Sequence, residues 1–204
     1  MSIFSQTSYR RIGLTGGIAT GKTTVSNYLA TSYQLPILDA DVYARNAVSP
    51  DSDISENIIH HFGEKILLPD GSLDRPALGN IVFNDVTERR WLEQQIHPYV
   101  RECLREASQD TAETMVLVVP LLFEANLTDL CTEIWVVSCQ SDLQIERLMQ
   151  RDRVSRADAI GRIDAQMSLT AKCELADVIL DNSSTLDSLL KQVDRALEMG
   201  SDKG

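Results

Sequence analysis

The sequence predicts an α/β fold, in which a parallel sheet of about five strands has helices on both faces. Short apolar runs recur along the chain, and each run is continuous rather than alternating, as strands buried on both faces require. Helical patterns follow most of the runs, and this alternation of strand and helix favours parallel pairing. The predicted strands are Ile12–Leu14, Pro36–Leu38, Met115–Pro120, Ile134–Val137 and Val178–Leu180.

The helices between these strands are predicted from apolar spacing and from signals at their ends. The first helix has an apolar face that includes Val25 and Leu29. Ser141 and Gln144 have the spacing of a capping box at the start of a later helix. The last helix is expected to end at Gly200.

Residues 50–114 interrupt the alternation, because they contain helical patterns and no apolar run as strong as the predicted strands. Asp53 is expected to cap a helix that ends at Gly63. Pro98 lies inside a long apolar stripe and predicts a kink or a break at His97. We interpret the segment as a helical subdomain inserted into a larger domain.

The chain as a whole, residues 1–204, is predicted to be a single domain, with a loose tail before Tyr9. The net charge of −11 argues against a nonspecific nucleic-acid binder. The longest apolar run, Met115–Phe123, is too short to span a bilayer. The four cysteines form no CxxC pair, which favours free thiols in the cytoplasm. The sequence leaves the oligomeric state open.

Residues 16–23, here called the phosphate loop, read Gly-Gly-Ile-Ala-Thr-Gly-Lys-Thr and match the motif G-x-x-x-x-G-K-[ST] between a strand and a helix. Small residues let the backbone N–H groups turn toward a phosphate, and the helix N-terminus adds partial positive charge. We expect Lys22 to reach the β and γ phosphates, and the hydroxyl of Thr23 to bind Mg²⁺. The predicted ATP-binding residues are Gly17, Ala19, Thr20, Gly21, Lys22, Thr23 and Thr24.

The motif predicts a fold of the P-loop NTPase type, and missing motifs narrow the class. No Asn is followed by Lys, so the guanine-reading N-K-x-D of GTPases is absent. The strand before Pro120 ends without the acidic residue typical of motor and transporter ATPases. These absences favour a small-molecule kinase.

Two carboxylates follow the second predicted strand, where a parallel sheet holds its ligand. A hydroxyl acceptor needs a carboxylate that orients it and takes its proton. One of Asp39 and Asp41 could do this, while the other could orient Mg²⁺ through water or hold the loop. Either could also be a helix cap.

Residues 147–172, here called the arginine-rich segment, contain six basic and three acidic residues in a chain of strongly negative charge. Arginine suits bidentate contacts with phosphate. The composition predicts a lid over the transferred phosphoryl group, although ion pairs along a solvated helix would give a similar pattern.

These features together resemble the dephospho-coenzyme A kinase family. The matching residues occur in the family's order and include the phosphate loop, Asp39-Ala40-Asp41 with Ala44-Arg45, His97-Pro98, Val119-Pro120-Leu121-Leu122-Phe123-Glu124, Gln150-Arg151-Asp152, Arg162-Ile163 with Gln166, and Asp181-Asn182. The phosphate loop alone is generic, whereas the Pro-Leu-Leu-Phe-Glu run is much more specific.

The resemblance implies transfer of the γ-phosphoryl group of ATP to the ribose 3′-hydroxyl of dephospho-CoA. It makes Asp41 the base, Lys22 and Arg151 the catalytic cations, and Mg²⁺ the cofactor. The implied acceptor residues are Asp39, Arg45, His97, Arg101, Leu121, Glu124 and Arg162. The alternatives are another hydroxyl kinase of the P-loop class, such as a shikimate-type enzyme, and a nucleotide-gated regulatory protein.

Overall fold

The computed structural model describes residues 10–50, 52–109 and 113–201. The tail expected before Tyr9 lies outside the described residues. The described chain forms two compact units. The first unit comprises the described residues up to Asp39 and from Ala107 onward, and the second unit is Ala40–Glu106.

The first unit is built on a parallel sheet that contains all five predicted strands. Its strand order among the described residues is β2-β3-β1-β4-β5, so the strand before the phosphate loop is central. The α/β prediction is confirmed. The strands are β1 (Arg11–Gly16), β2 (Ile37–Asp39), β3 (Met115–Val118), β4 (Glu133–Ser138) and β5 (Val178–Asp181).

The helices of the described residues follow the strands and fill the second unit. In chain order they are α1 (Lys22–Ser32), α2 (Ala40–Ala47), α3 (Asp53–Phe62), α4 (Arg75–Asn84), α5 (Val86–Gln109), α6 (Ser141–Asp152), α7 (Arg156–Asp164), α8 (Leu169–Glu174) and α9 (Leu186–Ser201).

The core of the first unit explains why the strands are continuously apolar. Ile12 and Leu14 on β1 are fully buried in one cluster with Val25 of α1 and Leu189 of α9. Gly13 points to the opposite face, where a Cβ would come within 2.5 Å of the Cys131 sulfur. Because both faces of β1 are buried, neither face of this central strand requires polar residues.

Two predicted helix ends in the first unit are wrong. Ser141 is the first residue of α6 and not its cap, and the residue before it makes no side-chain capping bond. Gln144 therefore forms no capping box, and its amide bonds to Ile18 instead. The last helix continues one residue past Gly200, to Ser201.

The second unit is helical and has a core of its own. Buried Ile58, Phe62, Ile66 and Leu78 form its centre. A turn at residues 69–71 lies between Leu67 and Leu73, which form an antiparallel bridge. The unit begins at Ala40 and so includes α2, whereas the sequence placed the start of the helical insertion at residue 50.

Two further expectations in this unit are corrected. Ser52 caps α3, because its hydroxyl accepts the N–H of Ser55, and Asp53 is the first helical residue. Gly63 ends α3 with a φ of 75°, as predicted. The helix α5 continues through Pro98, so the break expected at His97 is absent. Apolar side chains before and after the proline are buried or packed on the core, which offsets the lost backbone hydrogen bond.

Candidate active site

The phosphate loop joins β1 to α1 through a tight backbone turn. Ala19 and Gly21 have φ values of 59° and 107°, which lie in the left-handed region. The Thr20 hydroxyl donates to the carbonyl of Gly17 at 2.9 Å, and the Thr20 N–H approaches the same oxygen at 3.4 Å. These bonds close the loop on itself and fix its curvature.

The first turn of α1 carries the predicted catalytic and metal-binding side chains of the loop. Lys22 is half-buried, and its Nζ donates to the carbonyls of Gly16 at 3.0 Å and Gly17 at 2.7 Å. Thr23 and Thr24 are exposed beside it. The structure therefore groups an ammonium and two hydroxyls at a helix N-terminus, which carries partial positive charge. This arrangement suits an anionic ligand.

Side chains distant in the sequence hold this loop in place. The buried Asn182 follows β5, and its amide donates to the Thr20 carbonyl at 2.8 Å. A Cβ at Gly21 would lie 2.2 Å from that amide nitrogen, so only glycine fits there. Gln144 and Gln166 bond to Ile18 at the tip of the loop. No local pattern predicts this role for Asn182 or Gln144, although the position of Asn182 at the carboxyl end of a parallel strand is a usable signal.

The predicted acceptor residue Glu124 forms an ion pair with Lys172, at 2.9 Å. Lys172 is fully buried and also donates to the carbonyl of Pro120 at 3.0 Å, while Glu124 accepts the N–H of Met167 at 2.9 Å. This network fixes the turn that carries Leu121, which is half-buried. Because a buried ammonium needs its counter-charge, Lys172 adds nothing to the exposed positive charge that the sequence attributed to the arginine-rich segment.

Two arginines of this segment share one carboxylate. Arg151 donates to Asp152 at 2.7 and 3.3 Å, and Arg162 donates to it at 2.8 Å. The hydrogen bonds from Arg151, and next the charges of both arginines, hold the pKa of Asp152 below its ordinary value. The Arg151 side chain is 56% exposed. Ion pairs with a side chain this exposed to water are weak, so Arg151 can exchange its carboxylate partner for a phosphate at a small cost in free energy.

The second unit contains a cavity of about 300 Å³. Its wall is largely apolar and includes Val48, Leu78, Val82, Leu92 and Ile96. Its polar side chains are Asp41, Arg45 and Arg75.

Of the residues predicted to act on the acceptor, Asp41 and Arg45 line this cavity, whereas Asp39, His97 and Arg101 do not. Asp41 is exposed in the first turn of α2, one turn before Arg45, whereas Asp39 ends β2 in the first unit. His97 and Arg101 are half-buried on α5 and do not line this cavity. The structure thus brings Asp41 and Arg45 to one cavity.

No cluster of three or more His, Cys, Asp or Glu side chains that could hold a metal ion is present in the described ranges, residues 10–50, 52–109 and 113–201. In the same ranges, no helix is long and apolar enough to cross a membrane.

Known proteins resemble this chain over most of its length. The family model described as dephospho-CoA kinase matches residues 10–188. The dephospho-CoA kinase of Trichormus variabilis is 57% identical over 92% of this chain and 96% of its own. The dephospho-CoA kinase of Synechocystis is 52% identical over 92% of this chain and 94% of its own length.

Solved structures agree with these sequence matches. A Thermus thermophilus crystal structure has a TM-score of 0.79 and 31% identity, and it covers 94% of this chain and 97% of its own. Dephospho-CoA kinase from Campylobacter jejuni has a TM-score of 0.70 and 27% identity, and the match covers 95% of this chain and 98% of that structure's chain. A shikimate kinase from Bacteroides thetaiotaomicron, at 16% identity and a TM-score of 0.54 over 93% and 97%, shares the fold alone.

Proposed function

Because the chain belongs to the dephospho-CoA kinase family, we propose that it transfers the γ-phosphoryl group of ATP to the ribose 3′-hydroxyl of dephospho-CoA, giving CoA and ADP. The family match over residues 10–188, which includes the whole phosphate loop, carries this conclusion. The reaction belongs to coenzyme A biosynthesis. The likeness to shikimate kinase concerns the fold and gives no reason for a second function.

Turnover of ATP, coupled to ADP detection, tests the function directly. ADP should form rapidly with dephospho-CoA, and only slowly with shikimate or with no acceptor. Equal rates with and without dephospho-CoA would indicate a nucleotide-gated regulatory protein. Faster turnover with shikimate would indicate a different hydroxyl kinase.

The residues of the phosphate loop are proposed to hold ATP. Lys22 contacts the β and γ phosphates, and the backbone N–H groups at the start of α1 point toward the same charge. Mg²⁺ fits this site, because it usually takes one or two protein oxygens together with phosphate oxygens and water, and the exposed Thr23 hydroxyl supplies one such oxygen. When bound, the ion neutralises charge on the phosphates.

Asp41 is proposed as the base for the acceptor hydroxyl. It lies in the first turn of α2, directly after β2, and lines the cavity of the second unit. Its carboxylate can accept the proton that the 3′-hydroxyl loses as the new O–P bond forms. Asp39 is proposed to support the loop or the waters of Mg²⁺. The remaining proposed acceptor contacts are His97, Arg101, Leu121, Glu124 and Arg162.

The cavity in the second unit is proposed to hold part of dephospho-CoA. The acceptor combines an anionic diphosphate with a long uncharged arm. Arg45 and Arg75 suit the diphosphate, and the apolar wall suits the arm. We also propose that the protein acts in the cytoplasm without a nucleic-acid or membrane partner, which its free cysteines and its negative charge support.

Filling the cavity tests this acceptor site. Gly79 lines the cavity on α4, and a Cβ built on it meets no atom within 4 Å. Gly79→Leu should therefore fold well, because leucine has a higher helix propensity than glycine. It should raise the KM for dephospho-CoA by about tenfold or more and leave the KM for ATP unchanged.

Gly79→Ala is the matched control, since it adds one carbon and leaves most of the cavity open. Its KM for dephospho-CoA should stay within about twofold of the natural protein. A well-folded Gly79→Leu protein with an unchanged acceptor KM would show that the acceptor binds elsewhere.

Removing the Arg151 side chain tests its role over the phosphates. Arg151→Ala should lower kcat by roughly 10²-fold or more and change the KM for ATP little, because the guanidinium acts on charge that develops in the transition state. Steady-state kinetics with both substrates measure the two constants separately. Arg105→Ala removes an arginine that is paired on the surface of α5, and it should have no effect. An unchanged kcat in Arg151→Ala would move the role to Arg147 or Arg156.

A further inference from the structure

Two glutamine side chains form hydrogen bonds with the backbone N–H and carbonyl of Ile18, at the tip of the phosphate loop. The Ile18 N–H donates to Oε1 of Gln166 at 3.0 Å. The Ile18 carbonyl accepts from Nε2 of Gln144 at 2.8 Å. The backbone fixes the orientation of each amide, because an N–H needs an oxygen partner and a carbonyl needs a donor. The two glutamines thus contact the same residue with opposite polarity.

Packing around the tip strengthens this attachment. Gln144 is 4% exposed, and a Cβ at Gly17 would lie 2.6 Å from its Nε2. The amide therefore lies directly against the loop, in space that any other residue at position 17 would fill. Ile18 and Ala19 also pack on a buried cluster of Ile145, Leu148 and Ala159, from α6 and α7.

The hydrogen bonds that close the loop on itself do not involve Ile18 at its tip. The Thr20 hydroxyl closes the loop onto Gly17, and Asn182 holds the Thr20 carbonyl. Ile18 lies between these fixed points, and Ala19 adopts a left-handed φ that is unfavourable for a residue with a side chain. Without the glutamines, the polar groups of Ile18 would need other partners, and the turn at Ala19 could relax.

We infer that Gln144 and Gln166 are positioning residues, which hold the tip of the phosphate loop in the curvature that binds the nucleotide. They act through the backbone of Ile18 and need not contact the phosphates. Gln166 belongs to the arginine-rich segment, so it also ties the tip to the proposed lid. The identity of the ligand as a nucleotide rests on the proposed function.

The opposite polarity of the two bonds gives a sharp test, in which the same substitution is made at both positions. Glu at position 166 keeps an oxygen that accepts the Ile18 N–H. Glu at position 144 loses the donor and sets a carboxylate oxygen against the Ile18 carbonyl. Both variants add one carboxylate near the loop, and position 144 is the more deeply buried of the two, so the uncharged Gln144→Met variant separates loss of the donor from burial of charge.

We expect Gln144→Glu to raise the Kd for ADP at least about tenfold above that of Gln166→Glu, as measured by calorimetric titration. The KM for ATP should rise in parallel, while the KM for dephospho-CoA should stay unchanged, which a general loss of folding would not produce. Gln94→Glu, on an exposed position of α5, is the control for added charge and should bind ADP normally.

Gln144→Met covers the case in which the Glu variant fails to fold, because Met keeps the chain length and lacks the donor. It too should weaken ADP binding. Equal Kd values for Gln144→Glu and Gln166→Glu, or a folded Gln144→Met protein with the natural affinity, would overturn the inference. If the natural protein binds ADP but does not phosphorylate dephospho-CoA, the proposed function fails and the ADP titrations still decide the role of the glutamines.

Discussion

Lys22→Ala should keep its fold and lose nearly all phosphoryl transfer. The Nζ of Lys22 lies over the loop on the carbonyls of Gly16 and Gly17, where it can turn to a bound phosphate. In the proposed reaction, its charge stabilises the β and γ phosphates as negative charge shifts between them. Loss of one such group should lower kcat by at least about 10²-fold. Steady-state turnover with ATP and dephospho-CoA measures this kcat.

The stability of the Lys22 variant should change little, because the side chain is only half-buried and two of its hydrogen bonds go to the backbone carbonyls of Gly16 and Gly17. Thermal unfolding checks this point. Lys191→Ala removes an equal charge from an exposed pair with Asp187 and should keep full activity. Near-normal turnover in Lys22→Ala would refute the assignment of the phosphate loop.

Asp41→Asn should bind both substrates almost normally and lose most of its kcat. Asparagine keeps the size of the side chain and its ability to form hydrogen bonds, but it cannot take the proton of the acceptor hydroxyl. Because the transition state of phosphoryl transfer is loose, the base contributes modestly, and kcat should fall by about tenfold to a hundredfold. Because Asp41 is exposed in the first turn of α2, the loss of its charge near the helix N-terminus should affect the fold little.

Asp39→Asn is the internal control for this role. If Asp39 supports the loop or the waters of Mg²⁺, its variant should also change ATP affinity or the dependence of rate on Mg²⁺ concentration. Full kcat in Asp41→Asn with dephospho-CoA would contradict the base assignment. A selective kcat loss in Asp39→Asn alone would exchange the two roles.

Local patterns were sufficient to predict the sheet and the phosphate loop. Continuous apolar runs predict all five strands, because burial on both faces of a sheet requires consecutive apolar residues in each strand. The phosphate loop was found from its glycines and Lys22, because the close approach of backbone to phosphate restricts which residues fit. The family resemblance was confirmed by the match over residues 10–188.

Three of the wrong predictions share one cause, which is that a residue with a local signal interacts with residues elsewhere in the fold. Gln144 had the spacing of a capping box, but its amide lies against Ile18, 126 residues earlier. Lys172 added to an apparent surface charge, but it is buried on Glu124, 48 residues away. Pro98 signalled a break, but apolar packing along α5 continues the helix.

The sequence by itself determined the fold class and the family, and it supplied the residues that are proposed for the phosphate loop and the acceptor site. Backbone sterics and burial act over a few neighbouring residues, so they can be inferred from the chain in order. Only the tertiary structure decided which side chains hold the loop: Asn182, Gln144 and Gln166 meet it across the fold. A hydrogen bond between distant residues depends on packing that no local pattern encodes, and for this reason the residues that support the loop are visible only in the folded chain.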